Sequence, residues 1–389
     1  MKKFYRCSLA LILSAVIFPL SAADYGASLY SNSEFSGSDI KDLSLEQNSS
    51  FSAWLRLPFN NSGSNYFASQ ASINYEYDND FNKTSSSVLS FNIDLFKFSA
   101  KIGDWNLSAG RFELYDISDF ILAQQSDGII VEFLKDRFTA SAYAGWTGLL
   151  NAHNITILNK DDSSFSYDSA KAYDFASSYG IFSANFSAPY LFFNQSFAAE
   201  TFAAIGTRGI NGDNSGYNRF YLTLLLNGAL SADIFYSATC TMESENFKAL
   251  SNLSSLKITA FISSRTKASI SFSTVYASGK NGFLSPFKGI TSITALHNLS
   301  ESEYTGLLKS GISFSIKPVK ELLIQAGADL VLDTNENVFF KGSQAELSLL
   351  YSLTSDLKLN FACSEYFASG KESVTDNKTY FALTAELSF

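Results

Sequence analysis

The stretch YFALTAELSF, residues 380–389, decides the fold predicted for this chain. Successive side chains of an extended strand point to opposite faces, so residues two apart share a face. One face of this stretch is apolar and carries Phe381, Leu383, Ala385, Leu387 and Phe389. The other face carries Ala382, Thr384, Glu386 and Ser388. The pattern predicts a β-strand with one apolar face that extends to a final aromatic residue.

An alternating strand that ends on an aromatic residue resembles the C-terminal insertion signal of bacterial outer-membrane β-barrels. The resemblance implies that the barrel-assembly machinery of that membrane recognises the segment from Tyr380 to Phe389. It also implies that the mature protein is surrounded by outer-membrane lipid.

The amino-terminal residues 1–23 have the pattern of a cleaved export signal. Lys2, Lys3 and Arg6 precede an apolar run, and the small residues Ala22 and Ala23 follow it. This order is typical of a Sec-type signal peptide, and the run is shorter than the roughly 20 residues of a membrane-spanning helix. We therefore expect a mature chain of residues 24–389 that forms a single barrel domain. Loss of the three basic residues changes the formal charge from −9 to −12.

The composition is that of interleaved apolar and polar residues. Hydrophobic residues make up 46% of the chain, aromatic residues 15% and charged residues 17%, without a linker that would divide it. A transmembrane barrel has this composition because each strand turns one face to lipid and the other to water. The acidic balance argues against nucleic acid as a partner, since nucleic-acid binding requires a basic surface.

Short and long connectors alternate along the chain, as in a barrel with tight periplasmic turns and long outer loops. Asn227-Gly228 is the strongest tight-turn signal. The two longest outer loops are predicted at 147–178 and 279–303, and further outer loops at 31–48 and 242–253. The apolar parity switches at Leu95-Phe96, as it would at a β-bulge. The sequence thus predicts an all-β fold, a transmembrane antiparallel up-and-down β-barrel of about 18 strands, with 16 strands or a soluble all-β repeat protein as alternatives.

The segment from Leu107 to Trp146 resembles outer-membrane porins and related channels of bacteria. It contains Gly110-Arg111, then Asp127-Gly128, then the run Ala142-Tyr143-Ala144-Gly145. The resemblance implies a channel, and an arginine of this kind lines the pore in such proteins, which makes Arg111 a candidate. Simple alternation instead places Arg111 on the lipid face unless a bulge intervenes.

The polar face of each strand supplies the other candidate pore-lining residues. The acidic candidates are Glu76, Asp94, Glu132, Glu200, Asp233, Glu321, Asp329, Glu346 and Glu386. The basic candidates are Arg56, Arg219, Lys257, Lys267, Lys309 and Lys358. Acids outnumber bases, which favours weak cation selectivity. The alternative is that these charges pair across neighbouring strands.

Either of the two longest loops could fold inward and narrow the pore, since long loops in compact proteins are usually functional. Acidic side chains at such a constriction would be Asp161, Asp162, Asp168 and Asp174. The alternative is a loop that remains on the outer surface.

An enzyme is disfavoured because hydrolytic chemistry normally requires a histidine base. The two histidines, His153 and His297, both lie in outer loops and match no catalytic motif. No spacing of histidine and cysteine indicates a metal, and no cofactor is expected. The sequence predicts a porin that admits small hydrophilic solutes by passive diffusion. A non-conducting structural or adhesive barrel and a transporter of hydrophobic substrates are the alternatives, and the sequence does not distinguish a monomer from a homotrimer.

Overall fold

The structure is a computed structural model that describes residues 23–37, 44–80, 85–155, 157, 168–192, 194–210, 212–280, 283–291, 304–335, 338–369 and 377–389. No helix in these ranges is long and apolar enough to cross a membrane.

Eighteen β-strands account for nearly all of the regular structure. Their bounds are β1 Asp24–Gly37, β2 Ser44–Pro58, β3 Tyr66–Asp80, β4 Ser85–Ile102, β5 Trp105–Tyr115, β6 Ala123–Lys135, β7 Phe138–Trp146, β8 Tyr179–Phe192, β9 Gln195–Gly206, β10 Asn218–Ala229, β11 Ile234–Glu245, β12 Ala249–Ser263, β13 Ala268–Ala277, β14 Leu307–Val319, β15 Leu322–Asp333, β16 Phe339–Ser352, β17 Leu357–Ala368 and β18 Lys378–Ser388. A single turn of 3-10 helix, Ala152–Asn154, lies between β7 and β8.

Every strand pairs antiparallel with its neighbours in the chain, and the sheet closes between β18 and β1. The closing register runs from Ser28 opposite Ser388 to Gly37 opposite Thr379. Reciprocal backbone hydrogen bonds between Ala27 and Phe389, 2.7 and 2.9 Å long, complete the closing seam. The structure therefore confirms the predicted all-β barrel and its 18 strands.

The two faces of β18 differ in the way that the sequence predicts. Phe381, Leu383 and Phe389 point out of the barrel and are 45%, 55% and 67% exposed. Tyr380 and Ala382 point inward and are buried. Because the same alternation runs around the wall, the barrel presents an apolar outer surface to a bilayer and a mainly polar wall to its lumen.

The wall is irregular at β4 and β5. The register of β4 against β3 shifts at Asp94, next to the predicted parity switch. β4 pairs with β5 only from Ile102 to Phe96, whereas β5 and β6 stay paired up to Tyr115 and Ala123. The outer part of the β5–β6 hairpin therefore leaves the wall.

Gly110 lies where the hairpin departs. Its φ angle is +127°, and a Cβ atom on it would lie 1.8 Å from the carbonyl oxygen of Phe96. Only glycine has both the conformational freedom and the small size that this position requires.

We predict that Gly110→Ala lowers the free energy of unfolding by about 3 kcal/mol, because it adds a steric clash to backbone strain. Gly63 also has a positive φ, +66°, but a Cβ atom on it would meet no other atom within 4 Å, so Gly63→Ala should cost only about 1 kcal/mol. Urea unfolding of refolded barrels, followed by heat-modifiable gel mobility, measures both. Equal losses in the two variants would contradict the assigned close approach.

Candidate functional site

The candidate site is the lumen, and three segments of the chain enter it. These are the tip of the β5–β6 hairpin at residues 116–122, the described residues of the β7–β8 loop (147–155, 157 and 168–178), and the described residues of the β13–β14 loop (278–280, 283–291 and 304–306). The amides of Ile290 and Thr291 donate to the carbonyl oxygen of Ile121 over 2.8 and 3.1 Å. Ile157 forms an antiparallel bridge with Thr291. The three segments therefore form one body inside the barrel.

An apolar core joins this body to the wall. Ile121, Ile157 and Phe287 from the loops are fully buried. They pack in one cluster with inward-facing residues of β5 to β13, which include Phe112, Tyr143, Ile181, Phe202, Tyr221 and Leu253. Complete burial of one such side chain contributes about 1.5–3 kcal/mol. The loops are thus held across this side of the lumen by apolar packing.

Asp116 organises the hairpin tip. Its buried carboxylate accepts hydrogen bonds from the amides of Ile121 and Leu122, at 2.9 and 2.8 Å. The backbone amide of Ile117, the residue after Asp116, donates to the carboxylate of Glu200 on β9 over 2.9 Å. A wall carboxylate of β9, three strands away from β6, therefore attaches the tip to the wall.

A second group of wall residues holds the β13–β14 loop. Glu243 on β11 accepts from the Lys288 amide at 2.8 Å, and its carboxylate lies 3.6 Å from the Arg219 guanidinium. Arg219 donates to the carbonyl oxygen of Gly289 over 3.0 Å, and the Tyr221 hydroxyl donates to that of Lys288 over 2.8 Å. Both charged side chains are 3% exposed.

These contacts change the interpretation of two predicted pore-lining residues. Glu200 and Arg219 do face inward, but the loops cover them, so they act as loop anchors. Glu243 was missed because the sequence predicts an outer loop over 242–253, whereas β11 continues to Glu245 and β12 begins at Ala249. The predicted loop at 31–48 is also too long, since β1 reaches Gly37 and β2 begins at Ser44. Polar strand ends carry no apolar alternation that would reveal them.

Arg111 lies in the wall, at the point where β4 and β5 separate, and not on the pore surface. Its guanidinium donates two hydrogen bonds of 2.8 Å to the Asp127 carboxylate, and the whole residue is only 7% exposed. It also donates to the backbone carbonyl oxygens of Ile93 and Leu149, at 3.3 and 2.9 Å. The pore-lining assignment of Arg111 is therefore wrong, because the departing hairpin leaves a gap that this side chain helps to fill.

The β7–β8 loop fills the rest of that gap. The amide of Phe91 on β4 donates to the carbonyl oxygen of Ala172 over 3.0 Å. The side chain of Asn151 donates to the carbonyl oxygen of Phe91 over 2.8 Å. The loop thus pairs with the edge of β4 that β5 leaves.

The predicted constriction acids have separate outcomes. Asp161 and Asp162 lie outside the described residues. Asp174 is buried within the loop, where it accepts from the Asp168 amide at 3.1 Å and from Lys171 at 3.2 Å. This hydrogen bond raises the pKa of Lys171 above its ordinary value. His153 is buried nearby, 2.8 Å from the carbonyl oxygen of Lys171, and His297 lies outside the described residues.

Three predicted wall residues lie in the short turns. Asp233 precedes β11, Lys267 precedes β13, and Glu321 precedes β15. Their assignment to the wall is wrong because alternation was extended beyond the strand ends, where polar residues belong to the hairpin turns.

The remaining candidates lie on inward-facing strand positions. Two cross-strand ion pairs join Lys309 to Asp329 at 3.2 Å and Lys358 to Glu386 at 3.5 Å. Polar and aromatic contacts engage three more candidates: Arg56 over the Tyr66 ring at 4.4 Å, Asp94 with Asn92 at 2.7 Å, and Glu132 with Asn106 at 2.6 Å. Lys257 is exposed in the lumen.

A cavity of about 460 Å³ remains along β14–β18 and β1. Its polar lining includes Asn32, Glu34, Glu346, Asn360, Tyr380 and Thr384. Glu46 on β2 lies opposite Glu34 of β1, and Glu76 on β3 lies opposite Asn48 of β2. Because directly opposite residues share a face of the sheet, both carboxylates face the same lumen. Within the described ranges, no ion pair involves Glu34, Glu46, Glu76 or Glu346.

Comparison with known proteins gives no match to a family model and none to a curated protein. Solved structures do match over nearly the whole chain. OccK5 (OpdH) of Pseudomonas aeruginosa has 11% identity and a TM-score of 0.61, and covers 94% of this chain and 98% of its own. The outer membrane protein OpdK of the same organism also has 11% identity and a TM-score of 0.61, and the match covers 94% of this chain and 98% of OpdK. OccAB2 of Acinetobacter baumannii has 11% identity and a TM-score of 0.60, with coverages of 94% and 98%. OpdK has also been solved with vanillate. At this identity the likeness shows the fold, which is that of an outer-membrane barrel.

We predict that Glu243→Ala releases the β13–β14 loop, because the Lys288 amide loses its acceptor and Arg219 loses its carboxylate. The loss of hydrogen bonds to a buried charge should raise the rate of tryptic cleavage after Lys288 by about tenfold or more. Mass spectrometry of the cleaved, folded barrel measures this rate.

Glu346→Ala is the matched control, since Glu346 also faces the lumen but holds no loop among the described residues. Equal cleavage in the two variants would show that Glu243 does not anchor the loop.

Proposed function

We propose that this protein is an outer-membrane porin that admits small hydrophilic solutes by passive diffusion. The carrying observation is the cavity of about 460 Å³ inside a barrel with an apolar exterior, which is lined by the mainly polar wall of β14–β18 and β1. Loops that narrow a lumen while leaving part of it open are suited to a channel that selects by size. An anchoring barrel would not need such a cavity.

The proposed channel prefers cations weakly. Glu34, Glu46, Glu76 and Glu346 face the lumen without an ion pair among the described residues, whereas Lys309 and Lys358 are each paired with a carboxylate. Unpaired carboxylates attract cations and repel anions in a pore. An anionic solute such as vanillate, with which OpdK has been solved, would be disfavoured here.

The alternative function, a transporter of hydrophobic substrates, is disfavoured because the structural element that it requires is not formed by the described residues. Such a protein needs a small N-terminal hatch inside the barrel, and residues 31–48 are too few and too polar to form a convincing one. In the structure, the described residues of this segment belong to β1 and β2 and lie in the wall. The neighbours' outer-membrane barrel fold and the polar lumen favour a channel over an enzyme.

Three parts of the proposal concern biogenesis and assembly. Residues 1–23 act as a signal peptide that is removed on export. The barrel-assembly machinery recognises β18, whose outward face is apolar through Phe389. Copies of the mature chain then associate in the membrane, and a homotrimer is one such arrangement.

The deciding experiment measures single-channel conductance of the refolded mature chain in a planar bilayer, with the reversal potential under a salt gradient. We expect steady openings and a cation-directed potential. A fully inserted barrel that conducts no current would overturn the channel proposal.

We further predict that Glu34→Gln, Glu46→Gln and Glu76→Gln together lower the cation-to-anion permeability ratio by roughly twofold or more, since they remove three of the four carboxylates that face the lumen without an ion pair among the described residues. Glu365→Gln is the control: it removes one carboxylate from the outward face of β17, and each single lumen variant is compared with it. A similar fall in both would assign the preference to the overall charge.

A further inference from the structure

Four polar side chains form a block on the outer face of β1 and β2. Ser31 lies opposite Ser49, and Ser33 lies opposite Gln47. All four occupy positions of the same parity as the exposed Leu29 and Phe51 and therefore point away from the lumen. We refer to these four residues as the polar patch.

The register with β18 places the polar patch within the apolar outer surface. Ser31 is opposite Ala385 and Ser33 is opposite Leu383. Along β18, Phe381 lies on the extracellular side of these positions and Leu387 lies on the periplasmic side. Both side chains are exposed on the outer face of the barrel. In a membrane, the patch would thus contact hydrocarbon and not headgroups or water.

The polar patch meets only part of its hydrogen-bonding capacity internally. Gln47 Nε2 donates to Ser31 Oγ at 3.2 Å, and the hydroxyls of Ser31 and Ser49 lie 3.3 Å apart. The Gln47 amide nitrogen also donates to Ser49 Oγ over 3.5 Å, whereas its carbonyl oxygen accepts no hydrogen bond among the described residues. Polar groups in a bilayer are costly without partners, because lipid chains offer none.

The surroundings of the patch are suited to contact with protein. A groove runs beside it on the outer surface, with Leu29, Phe51, Ile73 and Tyr75 among its lining. The small side chains Ser31 and Ser49 lie between these larger ones and allow another wall to approach closely.

We propose that the polar patch is the surface on which a second copy of this chain docks. Gln47 both donates and accepts, so two patches related by an axis normal to the membrane are complementary to each other. Such contact supplies the missing hydrogen bonds and lets outward apolar side chains enter the neighbouring groove. The inference rests on the proposed residence in the outer membrane, but not on conduction.

The test compares the oligomeric state of refolded, fluorescently labelled mature protein in lipid bilayers by single-molecule photobleaching. We expect the wild type to associate and S31A/Q47L/S49A to associate about tenfold or more weakly. This variant removes polar groups from a lipid-facing surface, so it should still insert.

The matched control is T274V/S310A. Thr274 and Ser310 form an outward-facing hydroxyl pair 2.8 Å apart on β13 and β14, on another part of the wall. The control should associate as the wild type does. A monomeric wild type, or a patch variant that associates with unchanged affinity, would overturn the proposal.

Cross-linking locates the contact directly. In a C240A/C363A background, Q47C should form an intermolecular disulfide in the membrane, whereas T274C should not. Association without the Q47C cross-link would assign the interface elsewhere and overturn the proposal. Conductance per inserted chain should be the same in wild type and patch variant, so failure of this inference and failure of the proposed channel are distinguishable.

Discussion

The structure depends on the need to pair every backbone N–H and C=O group that faces hydrocarbon, where no water can substitute. A sheet satisfies this requirement only if its last strand returns to its first, and the ten-residue register between β18 and β1 does so. Antiparallel closure of consecutive hairpins makes an even number of strands. Each strand then exposes alternate side chains to lipid, which explains why the apolar face of β18 continues to Phe389.

The same requirement explains the unusual wall at β4 and β5. Residues 116–122 can reach Glu200 only because the β5–β6 hairpin leaves β4 beyond Phe96. That departure would leave the outer edge of β4 unpaired. The β7–β8 loop restores the pairing at Phe91, and Arg111 satisfies the carbonyl oxygen of Ile93. Narrowing the lumen and repairing the wall are therefore two results of one rearrangement.

Alternation, the rhythm of short and long connectors and the apolar face that extends to Phe389 together predicted the barrel from sequence, because each is a local pattern. The strand count and the bulge near Leu95 follow from them. The roles of charged residues were harder to predict. Alternation correctly points Glu200 and Arg219 inward but says nothing of a loop distant in sequence that covers them. The resemblance to porins placed Arg111 at the pore and simple alternation placed it on the lipid face, because the position of that side chain depends on a gap that only the assembled wall creates.

The inward-facing charges differ in their effect on a permeating ion. In a cross-strand pair such as Lys309 and Asp329, 3.2 Å apart, the two opposite charges nearly cancel. The pair therefore has little electrostatic effect on an ion more than a Debye length, about 8 Å, away. A buried anchor such as Glu243 is separated from the cavity by the loop that it binds. Carboxylates without an ion pair among the described residues, such as Glu34 and Glu346, line the cavity directly. The proposed cation preference therefore rests on this last group and not on the excess of acids in the sequence.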